Sequence, residues 1–483
     1  MALRQSLVPV YRAPDGAWWW HHLKWASVSA RRLCVGERRL DAGAYLSSGY
    51  GTRVALEAER TDWTRLGAAA TIWQPGRLKG IHAPPGQGTP FLAAEQVFDL
   101  RPRPRKWLVF EKTPDARRRF VSNGTILVTR SGTAGRVTLA REAHENKLIS
   151  DDLLRIDVTD ADQWGWIYAF LLAPTTRAML TAACYGQVIK HVEVSHLADL
   201  PLPLVADETA RACRDKAARV LELRNACHRL TLTAESRFAK AVGGAPDPRD
   251  WGEEGFSIRV SRVVKGRRRL DAWNHVPAIA AITAHLARRG KKFTSVADAG
   301  YQVWVPGRYK RVAADDGVVY WSSADLPQVA PNLTKRIADC DFGDSYRGRV
   351  QQGWVLLLRS GGVRGSLGRS LLATKTLHEQ LVSDHVMRLA PGQSVDMPGG
   401  YLLTALSHPT LGLPLVKALA CGSTVQEIAV EDVAALPVVR VDPAEERAIA
   451  ALVEQAAECR AEADALEREL ADDADRIITA RAT

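Results

Sequence analysis

With 483 residues and a mass of 52.9 kDa, the chain has room for two to four domains at roughly 100–200 residues each, so a disulfide-stapled miniprotein is excluded. Hydrophobic residues at 46% and charged residues at 25%, with a mean hydropathy of -0.16, exclude wholesale disorder and a polytopic membrane protein. Lys and Arg number 65 against 54 Asp and Glu, and the resulting +11 suits a binder of polyanions.

The N-terminal MALRQSLVPVYRAPDG lacks the continuous apolar stretch of a signal peptide. Trp18, Trp19 and Trp20 follow, beside His21 and His22. Such a run invites base stacking, but aromatic clusters at a domain start ordinarily fill core or interface, and the two histidines lack metal-ligand spacing. SVSARRLCVGERRLDA, ending at Ala42, then opens a repeat, because SIRVSRVVKGRRRLDA, ending at Ala272, reads onto it without a gap. Arg32 pairs with Arg262, Gly36 with Gly266 and Asp41 with Asp271; the two Asp read as helix-start or turn residues.

The repeat continues at a shift of about 230 residues. PGRLKG, carrying Arg77 and Lys79, meets PGRYKR, carrying Arg308, Lys310 and Arg311. These cations are either a solvated face or contacts to DNA phosphates. RPRPRKW (Arg101 to Trp107) and the triplet Arg117 to Arg119 occur only in the first half and are further candidates for tracking phosphate. TILVTRSGTAGRV aligns with WVLLLRSGGVRGSLG, placing Arg130 and Arg359 at strand ends before a tight turn, with Gly132 and Gly361 as turn residues. LISDDLLRI meets LVSDHVMRL. WIYAFLLAPTTRAML is broken by Pro174 and Arg177 before about 18 apolar residues accumulate, too short to span a membrane. AACYGQVIKHVEVSHLADLPLPLV parallels ALACGSTVQEIAVEDVAALPVVRV, so Gly186 meets Gly422, both read as turn glycines, and Pro201 meets Pro437.

Each repeat ends in a proline-bearing strand, an Asp, and a long run without Gly or Pro. The first run, from Asp207 to about Val242, places Cys213, Ala217, Val220, Leu223, Cys227, Leu230, Ala234 and Phe238 on one stripe. VGGAPDPRDW, from Val242 to Trp251, is a helix stop and linker, and Val276 to Arg288 is a helix of the second unit. Asp442 caps the last run, with Pro443 at its first position and Glu445 set for a capping box. Ile449, Leu452, Ala456, Cys459, Ala463, Leu466, Leu470 and Ile477 follow heptad a/d spacing, a seam that needs a partner helix. From Pro443 onward there are 11 acids against 5 Arg, which leaves the body at +17. Seven cysteines without a CxxC pair suggest buried thiols in a reducing cytoplasm.

No GxxxxGK[ST] phosphate loop, no [DN]PP[YF] amino-methyltransferase motif and no nuclease carboxylate–lysine cluster is recognisable. SGGVRGSLG from Ser360 reads as a turn between strands rather than a nucleotide cradle.

RLDA near each start, a strand followed by RSGxxG, an (I/V)SD segment, G-(S/Q)-x-(I/V), then LPLP or LPVV before a long helix, all occurring twice, resemble the specificity (S) subunit of type I restriction-modification systems over nearly the whole chain. The resemblance implies a mixed α/β protein with two tandem target-recognition domains, residues 1–206 and 242–441. Each is followed by a long helix, 207–241 and 442–483, and the two helices pair as an antiparallel coiled coil serving as spacer and docking platform. It further implies double-stranded DNA as ligand and two methyltransferase (M) subunits as partners, joined by restriction/translocase (R) subunits where the complex cleaves. No catalytic residue, metal or cofactor then belongs to this chain; S-adenosylmethionine belongs to the M subunits, and no membrane is involved. Val220, Cys227, Leu230, Leu452, Leu466 and Leu470 would form the seam.

The geometry such a task requires agrees: one chain reading an asymmetric bipartite site needs two similar readers held apart stiffly, and a helix of about 36 residues spans roughly 54 Å. Base contacts are expected in the loops where the modules diverge. Two other classes remain open at this point: a self-sufficient DNA-binding regulator, and a nuclease or modification enzyme with concealed catalytic residues.

Overall fold

Short apolar runs bounded by turn residues fold into strands, and the two long Gly- and Pro-free runs fold into helices. The computed structural model describes residues 4–12, 18–25, 28, 30, 42–184, 191–244, 255–264, 269–270, 272–288, 292–307, 311–331, 333, 335–338, 348–363, 365–422 and 425–480. The chain divides into two compact units, Met1–Phe98 with Pro102–Glu222 and Ala465–Thr483, and Asp99–Arg101 with Leu223–Asp464.

In the first unit, β1 (Arg4–Arg12) and β2 (Trp18–Trp25) form an antiparallel hairpin whose register shifts between Pro9 and Tyr11, next to the proline that cannot donate to the ladder. The Trp18–Trp20 run and His21 and His22 therefore lie on a strand. Strands β3 (Trp63–Arg65), β4 (Ala70–Trp73), β5 (His82–Ala83), β6 (Thr89–Leu92), β7 (Lys106–Leu108), β8 (Ile126–Thr129), β9 (Val137–Leu139), β10 (Leu148–Ile149), β11 (Leu153–Val158) and β12 (Pro201–Pro203) follow. They make an antiparallel sheet ordered β4-β11-β8-β9, a smaller sheet β10-β6-β7-β5 with β10 parallel to β6, and a β12-β3 pair. β8 is buried at every residue, which explains its apolar Ile126–Val128 run, and its buried Thr129 donates to the Thr133 carbonyl (2.6 Å). Helices α1 (Ser48–Glu59), α2 (Trp164–Leu172), α3 (Pro174–Ala183) and α4 (Val194–Ala198) complete it, the α2–α3 break falling at Pro174.

The second unit repeats this plan. β14 (Tyr301–Trp304), β17 (Val355–Leu358), β18 (Ser370–Leu372) and β20 (Val386–Pro391) form a sheet ordered β14-β20-β17-β18, the same path as in the first unit. β15 (Ala313–Trp321), β16 (Arg336–Ile337) and β19 (Leu381–Val382) form the smaller sheet, with β19 parallel to β15, and β13 (Phe293–Ser295) pairs with β21 (Pro437–Val439). α6 (Pro277–Ala287) is the helix expected there; α7 (Gly399–Ser407), α8 (Leu413–Ala418) and α9 (Val430–Ala434) match α2, α3 and α4.

The long helices are α5 (Asp207–Ala241) and α10 (Pro443–Thr479), and the division between units falls inside both. In each unit a glycine brings a short helix against a long one: a Cβ on Gly165 would lie 2.2 Å from Arg214 Cα, and one on Gly400 2.8 Å from Ala450 Cα. Trp166 and Tyr401, one position later, reach the strand before the long helix, donating to the carbonyls of Pro203 (2.9 Å) and Val439 (2.6 Å). Burial and the nearby Glu446 carboxylate raise the Tyr401 phenol well above its ordinary pKa, so this donor stays protonated.

Six of the eight stripe residues on α5, including Val220, are buried, whereas Cys227 and Leu230 are half-buried. On α10 the expected seam needs correction. Ile449, Ala456, Ala463 and Leu470 are buried, but Leu452, Cys459 and Leu466 are only half-buried; the second buried row is Glu446, Val453, Arg460, Glu467 and Ala474. The globular units take up those polar members. Glu446 binds Arg440 (2.8 Å), Arg460 donates to the Leu326 carbonyl (3.3 Å), and Glu467 accepts from the Tyr168 hydroxyl (2.7 Å). The stripe keeps the 3–4 heptad spacing in a shifted register: the Ile449, Ala456, Ala463 and Leu470 row is joined by the row on its other side, whose polar members the globular units take up. The capping box is likewise displaced: Asp442 accepts from Ala444 N–H (2.8 Å), but Glu446 reaches back to Val441 N–H (3.1 Å) while Glu445 pairs with Arg237 on α5 (2.7 Å). Within the second unit Arg224 also pairs with Asp464 (2.6 Å), and within the first Lys216 pairs with Asp473 (2.9 Å). Among the described residues no helix is long and apolar enough to cross a membrane.

Candidate nucleic-acid interface

In the first unit the PGRLKG loop is a pinned display. Leaving β4, Gly76 donates its N–H to Asp115 Oδ2 (3.2 Å) and its carbonyl accepts from Arg119 Nη2 (2.5 Å). Leu78 packs on the Phe91, Leu108, Ala116 and Leu148 cluster. A Cβ on Gly80 would sit 3.3 Å from the Leu108 methyls, and the Ile81 carbonyl accepts from Val109 N–H (2.9 Å). Leu78 and Gly80 are thereby half-buried, and Arg77, Lys79 and Ile81 are left exposed.

The Arg117 to Arg119 triplet is not uniform. Asp115 takes a left-handed φ of 52° and starts a 3-10 turn that sends Arg119 fully inside, where it also donates to the Pro114 carbonyl (3.0 Å). Arg117 and Arg118 stay exposed, with the Arg118 guanidinium 4.8 Å from the Trp73 ring. Arg77, Lys79 and Arg117 have no ion pair among the described residues, so four outward cations stand on two mutually pinned loops. In the RPRPRKW run, by contrast, Arg101 pairs with Glu235 and Arg105 with Glu95 (2.7 Å).

Beneath that loop lies a residue whose role the sequence did not disclose. Arg155 on β11 is fully buried and donates to the carbonyls of Ser150 (3.0 Å), Ile149 (3.0 Å) and Leu153, with its guanidinium 5.6 Å from the Trp73 ring. Burial, reinforced by the charge of Arg119, lowers its pKa to about 10. The second unit contains the same arrangement. Arg388 on β20 donates to the carbonyls of Ser383 (2.8 Å), Val382 (2.6 Å), Val386 (2.5 Å) and Gly348 (2.8 Å), 5.7 Å from the Trp304 ring. The available signal was the Arg repeated five residues after each Ser of the (I/V)SD segments.

The remaining predicted residues divide. Arg130 pairs with Glu193 (2.6 Å) and Arg359 with Glu427 (2.5 Å), both half-buried at 23% and 22% side-chain exposure. Their carbonyls accept from Val192 and Ile428 N–H (2.9 Å each), so these arginines brace the turn. Gly132, Gly361 and Gly422 have φ of 72°, 135° and 109°, the left-handed region that favours glycine. Arg311 pairs with Asp384 and lies 5.2 Å from the Tyr320 ring. Arg308, Lys310, Gly186, Asp41 and Asp271 lie outside the described residues.

One polar cluster invites comparison with a catalytic relay. Ser360 Oγ lies 3.0 Å from His385 Nδ1 and 3.0 Å from Glu427 Oε1, but Glu427 approaches that same ring nitrogen at 3.9 Å. A relay needs the serine and the carboxylate on opposite nitrogens, so this is a hydrogen-bonded turn. Among the described residues no group of three or more His, Cys, Asp or Glu could hold a metal ion.

No protein-family model matches the chain, and no curated protein does. Among solved structures similar to it, a type I restriction-modification system S subunit from M. genitalium is 13% identical, with a TM-score of 0.32, over 86% of this chain and 95% of that one. The HsdS subunit from Thermoanaerobacter tengcongensis is 15% identical, with a TM-score of 0.26, over 86% and 96%. A chain from a type I R-M complex is 14% identical, with a TM-score of 0.26, over 86% and 97%. At such identities and TM-scores, it is the chain's own repeated geometry that bears on function.

Proposed function

We propose that the chain is a sequence-recognition subunit of a type I restriction-modification complex, reading a bipartite DNA site with its two units. The observation that carries this reading is the exact-order duplication of the sheet with its buried Arg155–Trp73 and Arg388–Trp304 supports, while the loops leaving β4 and β14 differ in composition. A shared frame under divergent loops suits two readers of different half-sites. Arg77, Lys79, Arg117 and Arg118 are the phosphate-contacting residues of the first unit, with Arg308 and Lys310 their counterparts in the second. Arg130, Arg311 and Arg359 act through the loops they brace.

In this reading α5 and α10 pair as an antiparallel coiled coil that spaces the readers and receives two methyltransferase subunits. Ion pairing of Arg224 with Asp464 and of Arg237 with Glu445 supports the pairing, since residue numbers fall on α10 as they rise on α5. The acidic, outward part of α10 repels phosphate and is left for protein. The chain supplies no chemistry; S-adenosylmethionine and methyl transfer belong to the methyltransferase, and cleavage to restriction/translocase subunits where present.

Changing Arg77, Lys79, Arg117 and Arg118 together to Ala is expected to weaken binding to every duplex and to flatten the slope of log affinity against log salt by up to about 4, at roughly 0.9 per phosphate contact. An unaltered slope rejects this surface as the interface.

A further inference from the structure

Ile81 is 57% exposed although its loop is fixed. It shares its outward face with Arg77 and Lys79, the intervening Leu78 and Gly80 pack inward, and its carbonyl is held by Val109 N–H at 2.9 Å. A β-branched side chain there has little freedom left to lose on binding. The position six residues past the loop's proline is Val312 in the second unit, and that side chain is half-buried. Among the described residues of the two loops, the exposed apolar tip is therefore found in the first unit.

We propose that Ile81 is a base-reading residue that packs on the 5-methyl group of a thymine in the major groove while Arg77 and Lys79 hold the neighbouring phosphates. The inference rests on the DNA-recognition reading above. Phosphate contacts fix position without conveying sequence, and in the major groove the thymine methyl is the one apolar group that a base edge offers. An alkyl side chain brought down beside two phosphate-bound cations meets base edges, because pressing it on a phosphate would strip water from a charge and return no hydrogen bond. A protein partner would have to match this tip with an apolar pocket ringed by acids; the major groove of an A·T pair offers both the methyl and the flanking negative charge.

The test uses the full chain and the duplex it selects from a randomised pool. Each thymine of that site is replaced singly by deoxyuridine, which lacks only the methyl. One replacement is expected to lower affinity about fivefold for the native chain. Ile81→Ala should lose about the same on the thymine duplex and nothing further on the deoxyuridine one, Ile81→Val should keep most of the native discrimination, and thymines elsewhere should respond alike in all three proteins. A selected site in which no deoxyuridine penalty disappears with Ile81→Ala overturns the assignment and leaves DNA recognition standing. Failure of the native chain to select any sequence overturns the recognition reading, and this inference with it.

Discussion

Arg155 and Arg388 hold corresponding strand ends in the two units, each by donating to several buried carbonyls and lying against a Trp ring. Replacing either with Met orphans at least three acceptors, which outweighs the relief of no longer burying a charge; a net loss of about 2–3 kcal/mol is expected in urea melts of Arg155→Met and Arg388→Met. A loss below about 0.5 kcal/mol would show that the carbonyls find water instead. Charge at the residue scale was only half legible in sequence. The Arg117 to Arg119 run reads as three equal cations, yet a left-handed Asp115 turns one of them into the anchor of the neighbouring loop. Arg130 and Arg359 read as open strand-end cations, but their carboxylate partners, Glu193 and Glu427, lie more than 60 residues away in sequence and no local pattern announces them. Asp473 supplies a pH test. Hydrogen bonding to Lys216 holds its carboxyl below the ordinary 3.8. The resulting stability is present above that value and lost as pH falls through the folded pKa. With Asp473 a third exposed, the effect is about 0.5 kcal/mol. Asp473→Asn should remove that part of the acid slope in melts between about pH 5 and 3; an unchanged slope would assign it to other carboxylates.

At the scale of elements, strands such as Ile126–Thr129 and Val355–Leu358 and both long helices follow directly from apolar runs and from the absence of Gly and Pro. The face that α10 buries does not. Heptad counting picks the apolar row Leu452, Cys459 and Leu466 beside Ile449, whereas the globular units cover the row on its other side, so Glu446, Arg460 and Glu467 are buried and Leu466 is half-buried. Leu470→Asp should consequently cost several kcal/mol by burying an unpaired carboxylate, and Leu466→Asp clearly less. Thermal melts of the two single variants check the order, and equal losses would restore the seam through Leu452, Cys459 and Leu466. The helix contacts at Gly165 and Gly400 make a companion prediction. A methyl group there meets the backbone of the long helix, so Gly165→Ala and Gly400→Ala should each lose about 2–3 kcal/mol despite the better helix propensity of Ala. Neutral or stabilising outcomes would mean that the helices move apart freely.

At the scale of the whole molecule, the duplication was the most legible feature, because a repeat at a shift of about 230 residues survives in motif order even where individual positions differ. Its correspondence in space, two sheets of one strand order and, in each unit, a separate two-stranded pair that contributes the strand before the long helix, extends to side chains that are not identical, Trp166 and Tyr401 donating to carbonyls at equivalent places. That each unit reads its own half of a DNA site is tested by methylome sequencing of a strain carrying a chimera in which residues 251–441 are replaced by the matching unit of a relative. One half of the methylated motif is expected to change and the other half to stay as it was. Both halves changing together, or neither, would contradict it.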